Sequence, residues 1–346
     1  MVIRGFRVIL LFALLAACSH APSAATPTPT SQPGATPAPS ASATAAATAT
    51  LDPTATPDPH GQYTIAHLRG REYGGGELEI VERVGANSAF TRYLVRYPSE
   101  GLMIHGFMNV PQGEALHPVI IALHGYIDPD IYNTFDYTTH YADALASAGY
   151  LVLHPNLRGY PPSDSGDDLF RVGMALDVLN LIAILKATGG RPGALEAADA
   201  DRIGLWGHSM GGGITTRVIT VSADVRAAVL YSAMSGDEAR NYQAIGVWSD
   251  GERGGDERAV AAEDLARISP IHFLDGITAA VSIHHGLEDE LVPVQWSMQT
   301  CELLRAAGKD VECHFYPEMP HTFRGKGDKQ FIQYTLQFMD RALSAP

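Results

Sequence analysis

The chain has 346 residues, 46% hydrophobic and 18% charged, with 24 Lys and Arg against 38 Asp and Glu for a formal net charge of -14. Those proportions are ordinary for a folded globular domain and exclude a chain that is polar throughout. The acidic balance and the absence of a basic block exclude a nucleic-acid-binding face, which needs an excess of Lys and Arg.

The chain opens on "MVIRGFR" followed by "VILLFALLAA", a short basic segment and then ten apolar residues. Ten residues of helix reach about 15 Å, half of a bilayer core, so residues 1–17 read as a secretory signal rather than a membrane span. The run ends in "LAAC", which resembles a bacterial lipobox, with Cys18 as the lipidated residue and the first of the mature chain. Residues 18–60 are built from Ala, Thr, Pro and Ser, with Leu51 the single large apolar side chain. Such a segment cannot bury enough surface to offset its ordering entropy, and it reads as a disordered tether. The expected location is the cell envelope after export across the cytoplasmic membrane, with the lipid anchor as the sole membrane contact.

Residues 61–346 are long enough for one large α/β domain. "ELEIVERV", "AFTRYLVRYP" and "GLMIHGFMNVP" read as strands joined by short turns, an antiparallel edge. From residue 118 strands and helices alternate. Strands are expected at 118–125, 150–156, 202–207, 226–233, 279–286 and 311–317, and helices at 134–149, 168–190, 211–222, 294–308 and 329–343. That alternation implies a mainly parallel sheet covered by helices on both faces. Residues 234–270 break it with two short helices around a Gly-rich charged loop. An insertion there would lie over the carboxyl ends of the strands and form a small cap on a substrate pocket. Cys301 and Cys313 flank a helix-to-strand turn and are either disulfide-bonded or two buried thiols. No HExxH or paired CxxC occurs, so neither a metal nor a cofactor is expected.

The stretch "GLWGHSMGGG" holds the chemistry. Gly207-His208-Ser209-Met210-Gly211 is G-x-S-x-G, directly after a strand and opening a helix. In a nucleophile elbow the serine stands at a strained strand-to-helix turn, and glycines two before and two after leave room for the crowded chain. A serine hydroxyl needs a base, an orienting acid and an oxyanion hole. Asp289 in "HHGLEDELVP" is the expected acid, with Glu288 and Glu290 as neighbours able to substitute. His321 in "YPEMPHTF" is the expected base, while His284, His285 and His314 read as structural. Oxyanion donors are expected from the backbone N–H groups of Met210 and of Tyr126 in the "HGY" turn, which His124 and Gly125 would shape.

Taken with "NLRGYPPS" and "ISPIHFLDGI", these blocks resemble the α/β-hydrolase superfamily over residues 103–345. They are most similar to the catalytic domain of the prolyl oligopeptidase family and to dienelactone-hydrolase-like esterases. The resemblance implies an α/β-hydrolase fold and Ser209, Asp289 and His321 as a triad, and it gives Arg158 a structural place near the pocket. Residues 61–102 are too few for the β-propeller of true prolyl oligopeptidases, and HGY stands where HGG is usual. The expected activity is hydrolysis of small carboxylic esters through an acyl-enzyme. The alternatives are a serine peptidase acting on short peptides and a non-catalytic binding protein on a hydrolase fold.

Overall fold

The computed structural model describes residues 58–344. The signal, Cys18 and all but the last three residues of the expected tether lie outside that range. Residues 58–60 belong to the fold: Asp58 pairs with Arg267 at 2.6 Å and His60 with Asp264 at 3.0 Å.

The described chain begins with a short helix, α1 (Ile65–Gly70), started by Thr64, whose side chain accepts from the His67 N–H. Sequence reading missed it, because six residues carry too little periodicity to stand out. Three antiparallel strands follow, β1 (Glu79–Ala86), β2 (Phe90–Ser99) and β3 (Leu102–Pro111). The alternating part comprises β4 (His117–Leu123), α2 (Thr139–Ser147), β5 (Leu151–Pro155), α3 (Val172–Thr188), β6 (Ala198–His208), α4 (Met210–Val221) and β7 (Val225–Tyr231). After three short helices, α5 (Glu238–Trp248), α6 (Gly255–Arg258) and α7 (Ala262–Ile268), come β8 (Ala280–Gly286), α8 (Val294–Ala306), β9 (Val311–Tyr316) and α9 (Gly325–Ala342).

The nine strands form one sheet in the order β1-β2-β3-β5-β4-β6-β7-β8-β9. The first three pairings are antiparallel and the rest parallel. Side chains alternate across the pleat, so β4 sends Val119, Ile121 and Leu123 to one face and Ile120 and Ala122 to the other. The first face packs against α3, α4 and α8 through Val178, Leu181, Ile214, Val218 and Leu304. The second packs against α2 and α9 through Tyr141, Leu145, Phe331 and Phe338, with Trp206 and Tyr231 from the sheet. Both faces of the parallel strands are therefore buried, and their sequences read as continuous apolar runs rather than alternating ones.

Helix α3 starts four residues later than the apolar spacing suggests. Phe170 and Arg171 hold φ values of 57° and 56°, and the Asp168 carboxylate instead takes the Met174 N–H at 2.9 Å. The break lets Arg171 turn toward Glu238 and Glu257 of the insertion. That insertion holds three helices rather than two. It packs through Val260, Leu265 and Ile268 onto Leu68, Phe170, Val172 and Leu176, a small core of its own. Between α8 and β9 the sulfurs of Cys301 and Cys313 are joined in a disulfide.

Candidate active site

The chain leaves β4 for β5 on one side and returns to β6 on the other. This reversal opens a crevice at the carboxyl ends of β4 and β6, the usual ligand position in such sheets. Every residue expected in the site lies at that end. His124, Gly125 and Tyr126 follow β4, and Ser209 stands between β6 and α4. Asp289 follows β8, and His321 lies between β9 and α9.

Ser209 has φ 55° and ψ -116°, a strained conformation for a residue with a side chain. The surroundings hold it there. Its N–H donates to the Tyr231 carbonyl at 2.9 Å, and its own carbonyl accepts from Gly212 at 3.0 Å and Met234 at 2.9 Å. The flanking glycines are explained by close approach. A Cβ on Gly207 would fall 2.3 Å from the Gly211 carbonyl oxygen, and one on Gly211 would fall 2.4 Å from that of Leu123. On Gly125 a Cβ would reach 2.0 Å from the Tyr137 hydroxyl and 3.0 Å from the Ser209 Cβ. The turn after β4 is thus pressed against the serine.

The Asp289 side chain is fully buried, and both its oxygens are engaged. Oδ1 takes the Leu291 and Val292 N–H groups at 2.9 and 2.8 Å. Oδ2 lies 2.7 Å from His321 Nδ1 and 3.0 Å from His285 Nε2. Burial opposes its ionisation, but the hydrogen bonds from His285 and His321, the His321 charge and the Val292 N–H together hold the carboxyl well below the ordinary carboxylate range. Glu288 and Glu290 do not pair with His321; the sequence left them open, and the structure places Asp289 there alone.

Ser209, Met210, His321 and Tyr126 line one cavity of about 900 Å³. Within it the Ser209 hydroxyl has no hydrogen-bond partner among the described residues. The N–H of Met210, at the first position of α4, has no acceptor within the helix, and the Tyr126 N–H donates to none of the described residues. His124, buried beside them, lies 2.7 Å from both the Gly125 and Asn156 carbonyl oxygens and fixes the turn.

Two histidines beside the site had no place in it by sequence. His285 was read as structural; its Nδ1 meets the Ser297 hydroxyl at 2.7 Å, and its Nε2 lies 3.0 Å from both the Val292 carbonyl oxygen and Asp289 Oδ2. His208, the residue before the serine, stacks on Tyr231 at 4.2 Å and lies 4.7 Å from the His321 ring. Its Nε2 meets the His321 carbonyl oxygen at 3.0 Å and its Nδ1 the Tyr137 hydroxyl at 2.8 Å. Burial, then the neighbouring His321, pushes its pKa down to about 3, so the ring is neutral beside its neighbour. The one signal for it was its place inside G-x-S-x-G.

Arg158 is a wall residue, as its loop resemblance implies. Its guanidinium holds the buried Asp177 at 2.7 Å and the Asp167 carbonyl at 2.9 Å. The insertion forms the opposite wall with Ile245, Trp248, Arg253 and Glu257, and the Arg253 guanidinium lies 4.8 Å over the Tyr126 ring. Among the described residues no group of three or more His, Cys, Asp or Glu side chains is arranged to hold a metal ion.

A serine poised at a helix N-terminus, a carboxylate-bound histidine and two free N–H groups around one cavity suit acyl transfer. The comparisons agree with that chemistry. The prolyl oligopeptidase family model matches residues 134–345. An uncharacterized peptidase of Bacillus subtilis, YuxL, is 24% identical over 273 residues, covering 72% of this chain and 39% of that protein. The acylaminoacyl peptidase of Pyrococcus horikoshii superposes with a TM-score of 0.61 at 24% identity, over 74% of this chain and 42% of that one. Acetyl xylan esterase 1 from Thermoanaerobacterium sp. JW/SL YS485 superposes equally well at 0.61 and 20% identity, over 83% of this chain and 95% of that one. This chain spans about two fifths of the two peptidases. With an α/β-hydrolase sheet, a serine elbow at its switch point and a family match over most of its length, the chain belongs to the prolyl oligopeptidase family of serine hydrolases.

Proposed function

We propose that this protein hydrolyses small carboxylic esters by two-step acyl transfer, with Ser209 as nucleophile, His321 as base and Asp289 as the group that orients it. His321 Nε2 takes the hydroxyl proton as Ser209 attacks the ester carbonyl. The developing oxyanion is met by the N–H groups of Met210 and Tyr126, and His321 returns its proton to the leaving alcohol. Water, activated by the same histidine, then releases the acid. The observation that carries this reading is the His321–Asp289 pair facing the cavity that Ser209 lines.

The preference for esters over peptides rests on how the cavity is walled. A peptide amide is the harder bond and needs close positioning of the substrate backbone on both sides of it. Residues 79–111 are spent on strands of the same sheet, and the wall opposite the serine is a short insertion of three helices. Tyr126, Trp248 and Leu291 give the mouth an apolar rim for a modest acyl group. The test compares p-nitrophenyl acyl esters with free and blocked aminoacyl p-nitroanilides, corrected for intrinsic reactivity. Esters are expected to lead by several orders of magnitude in kcat/KM; anilide turnover within about tenfold of the best ester would favour a peptidase, each factor of ten being about 1.4 kcal/mol.

We also propose export and anchoring through a lipidated Cys18, supported by the apolar leader and the "LAAC" end. Cys18→Ser should move the protein from the membrane fraction to the soluble one. Retention of that variant in the membrane with its leader cleaved would refute the anchor.

A further inference from the structure

The wall of the cavity is charged, and its charges do not balance. Behind it three guanidinium groups meet three carboxylates. Arg158 holds Asp177 at 2.7 Å; Arg171 holds Glu238 at 2.5 Å and Glu257 at 3.1 Å; Arg217 pairs with Glu238. Arg158 also donates to the main-chain carbonyl of Asp167, and Arg217 to that of Ile268. A fourth carboxylate, Asp168, lines the cavity and forms no ion pair among the described residues. Its Oδ1 accepts only the Met174 N–H, and its Oδ2 has no protein partner among them. The lining as a whole carries Asp128, Asp168, Glu252 and Glu257 against Arg158, Arg171 and Arg253, with no lysine. Of the acids, Asp128 and Glu252 stand at the exposed mouth and Glu257 is already paired, which leaves Asp168 as the partly buried acceptor in want of a cation.

We propose that Asp168 makes the cavity selective for substrates bearing a positive charge, such as a quaternary or primary ammonium, on the acyl or the alcohol side of the scissile ester. This rests on the ester reading above and names its substrate class. A half-buried carboxylate left without a counter-ion is costly, and a substrate cation recovers part of that cost on binding. The absence of an ion-pair partner has a titration consequence. Burial pushes the Asp168 carboxyl up to about 7 against the pull of the Met174 N–H and Arg171. The groups acting on it are the Met174 N–H, Arg171, Asp177 and Arg158, with Tyr160 from the preceding loop, and Glu257 of α6 lines the same cavity. Below about pH 7 the acid is neutral and the attraction for a cation is lost.

The test uses isosteric pairs on the full-length enzyme. One pair differs in the acyl group: the p-nitrophenyl ester of γ-trimethylammonio-butyrate and its analogue with carbon in place of nitrogen. The other differs in the alcohol: choline butyrate and its carbon analogue. In at least one pair the cationic member should be preferred in kcat/KM by about tenfold or more, as expected for one poorly screened charge pair. Asp168→Asn should bring that ratio near one while leaving the neutral ester within about threefold, which also shows the variant folded. In the wild type the ratio should fall as pH drops through about 7, since kcat/KM reports the free enzyme and a ratio within one pair cancels what the two members share. If neutral esters are turned over with no cation preference in either pair, or with a preference that Asp168→Asn leaves intact and pH does not alter, the inference fails and the ester reading stands. If no ester is turned over, the ester reading fails, and the same charged and neutral acyl groups on p-nitroanilides still decide the role of Asp168.

Discussion

Single residues carry the chemistry. Removing the Ser209 hydroxyl should leave the fold intact, because the strained turn is held by its main chain, and Ser209→Ala should lower kcat by at least about a thousandfold. Asp289→Asn keeps the shape but reverses the hydrogen bond that His321 Nδ1 makes at 2.7 Å, and a loss near 10⁴ in kcat is expected from the wrong tautomer. His285→Ala removes a ring whose Nε2 lies 3.0 Å from the same oxygen and from the Val292 carbonyl, loosening the turn that holds Asp289, and should cost about tenfold, the scale of one contact to a charged group. Steady-state rates on one neutral ester check all three; a His285→Ala rate equal to wild type would make that histidine a packing residue. Ser209, Asp289 and His321 were legible in the sequence because each occupies a loop after a strand, in the order the elbow demands. His285, His208 and Asp168 were not, because a strand-end histidine and one aspartate among many have no local signature. Their common place beside the cavity appears only when β8, β6 and the start of α3 are brought to one end of the sheet.

At the scale of elements, the elbow is a packing problem before it is a catalytic one. Gly211→Ala would place a methyl 2.4 Å from the Leu123 carbonyl oxygen and 2.6 Å from that of His124, both of them backbone that cannot swing aside. The turn after β4 must then move, and Tyr126 with it. The variant should lose about 2–4 kcal/mol of stability. It should also lose roughly a hundredfold in rate, the scale of a 1 Å misplacement. A thermal melt with a rate on the same sample tests this, and an unchanged melt would show that the two chain segments are less tightly pressed. The disulfide between Cys301 and Cys313 ties α8 to the edge strand β9, twelve residues apart, away from the cavity lining. Replacing both cysteines with alanine should cost about 3 kcal/mol and leave kcat/KM within about twofold, because the closed loop is short and the site is elsewhere. A large loss of activity would mean that β9 needs the bond to present His321.

On the scale of the whole molecule, the alternation of apolar runs and amphipathic helices made the parallel sheet readable, since strands covered on both faces are apolar throughout. The late start of α3 and the third helix of the insertion were not readable, because both follow from Arg171 reaching Glu238 and Glu257 across the fold. The same burial sets the response to acid. His124, His154, His208 and His284 are buried and held neutral by desolvation, with pKa values below the ordinary imidazole range. The unfolded chain therefore binds protons below about pH 6.5 that the folded chain refuses, each worth about 1.4 kcal/mol per pH unit. Asp168 and Asp177, with raised pKa values, work in the opposite sense, but the histidines outnumber them. Stability should fall steadily as pH drops from about 6.5 toward 4. Denaturant melts across that range check this; a midpoint that rises or stays level would mean the buried rings are charged in the fold.

Most of this depends on Ser209 forming the covalent bond. Purified enzyme should be mixed with a p-nitrophenyl ester, quenched in acid within the first turnovers, digested, and the peptides weighed. The prediction is one acyl adduct, on the peptide containing Ser209 and on that residue within it, absent from Ser209→Ala and from His321→Ala. An adduct on another side chain, or turnover of the ester by Ser209→Ala at the wild-type rate, would contradict it.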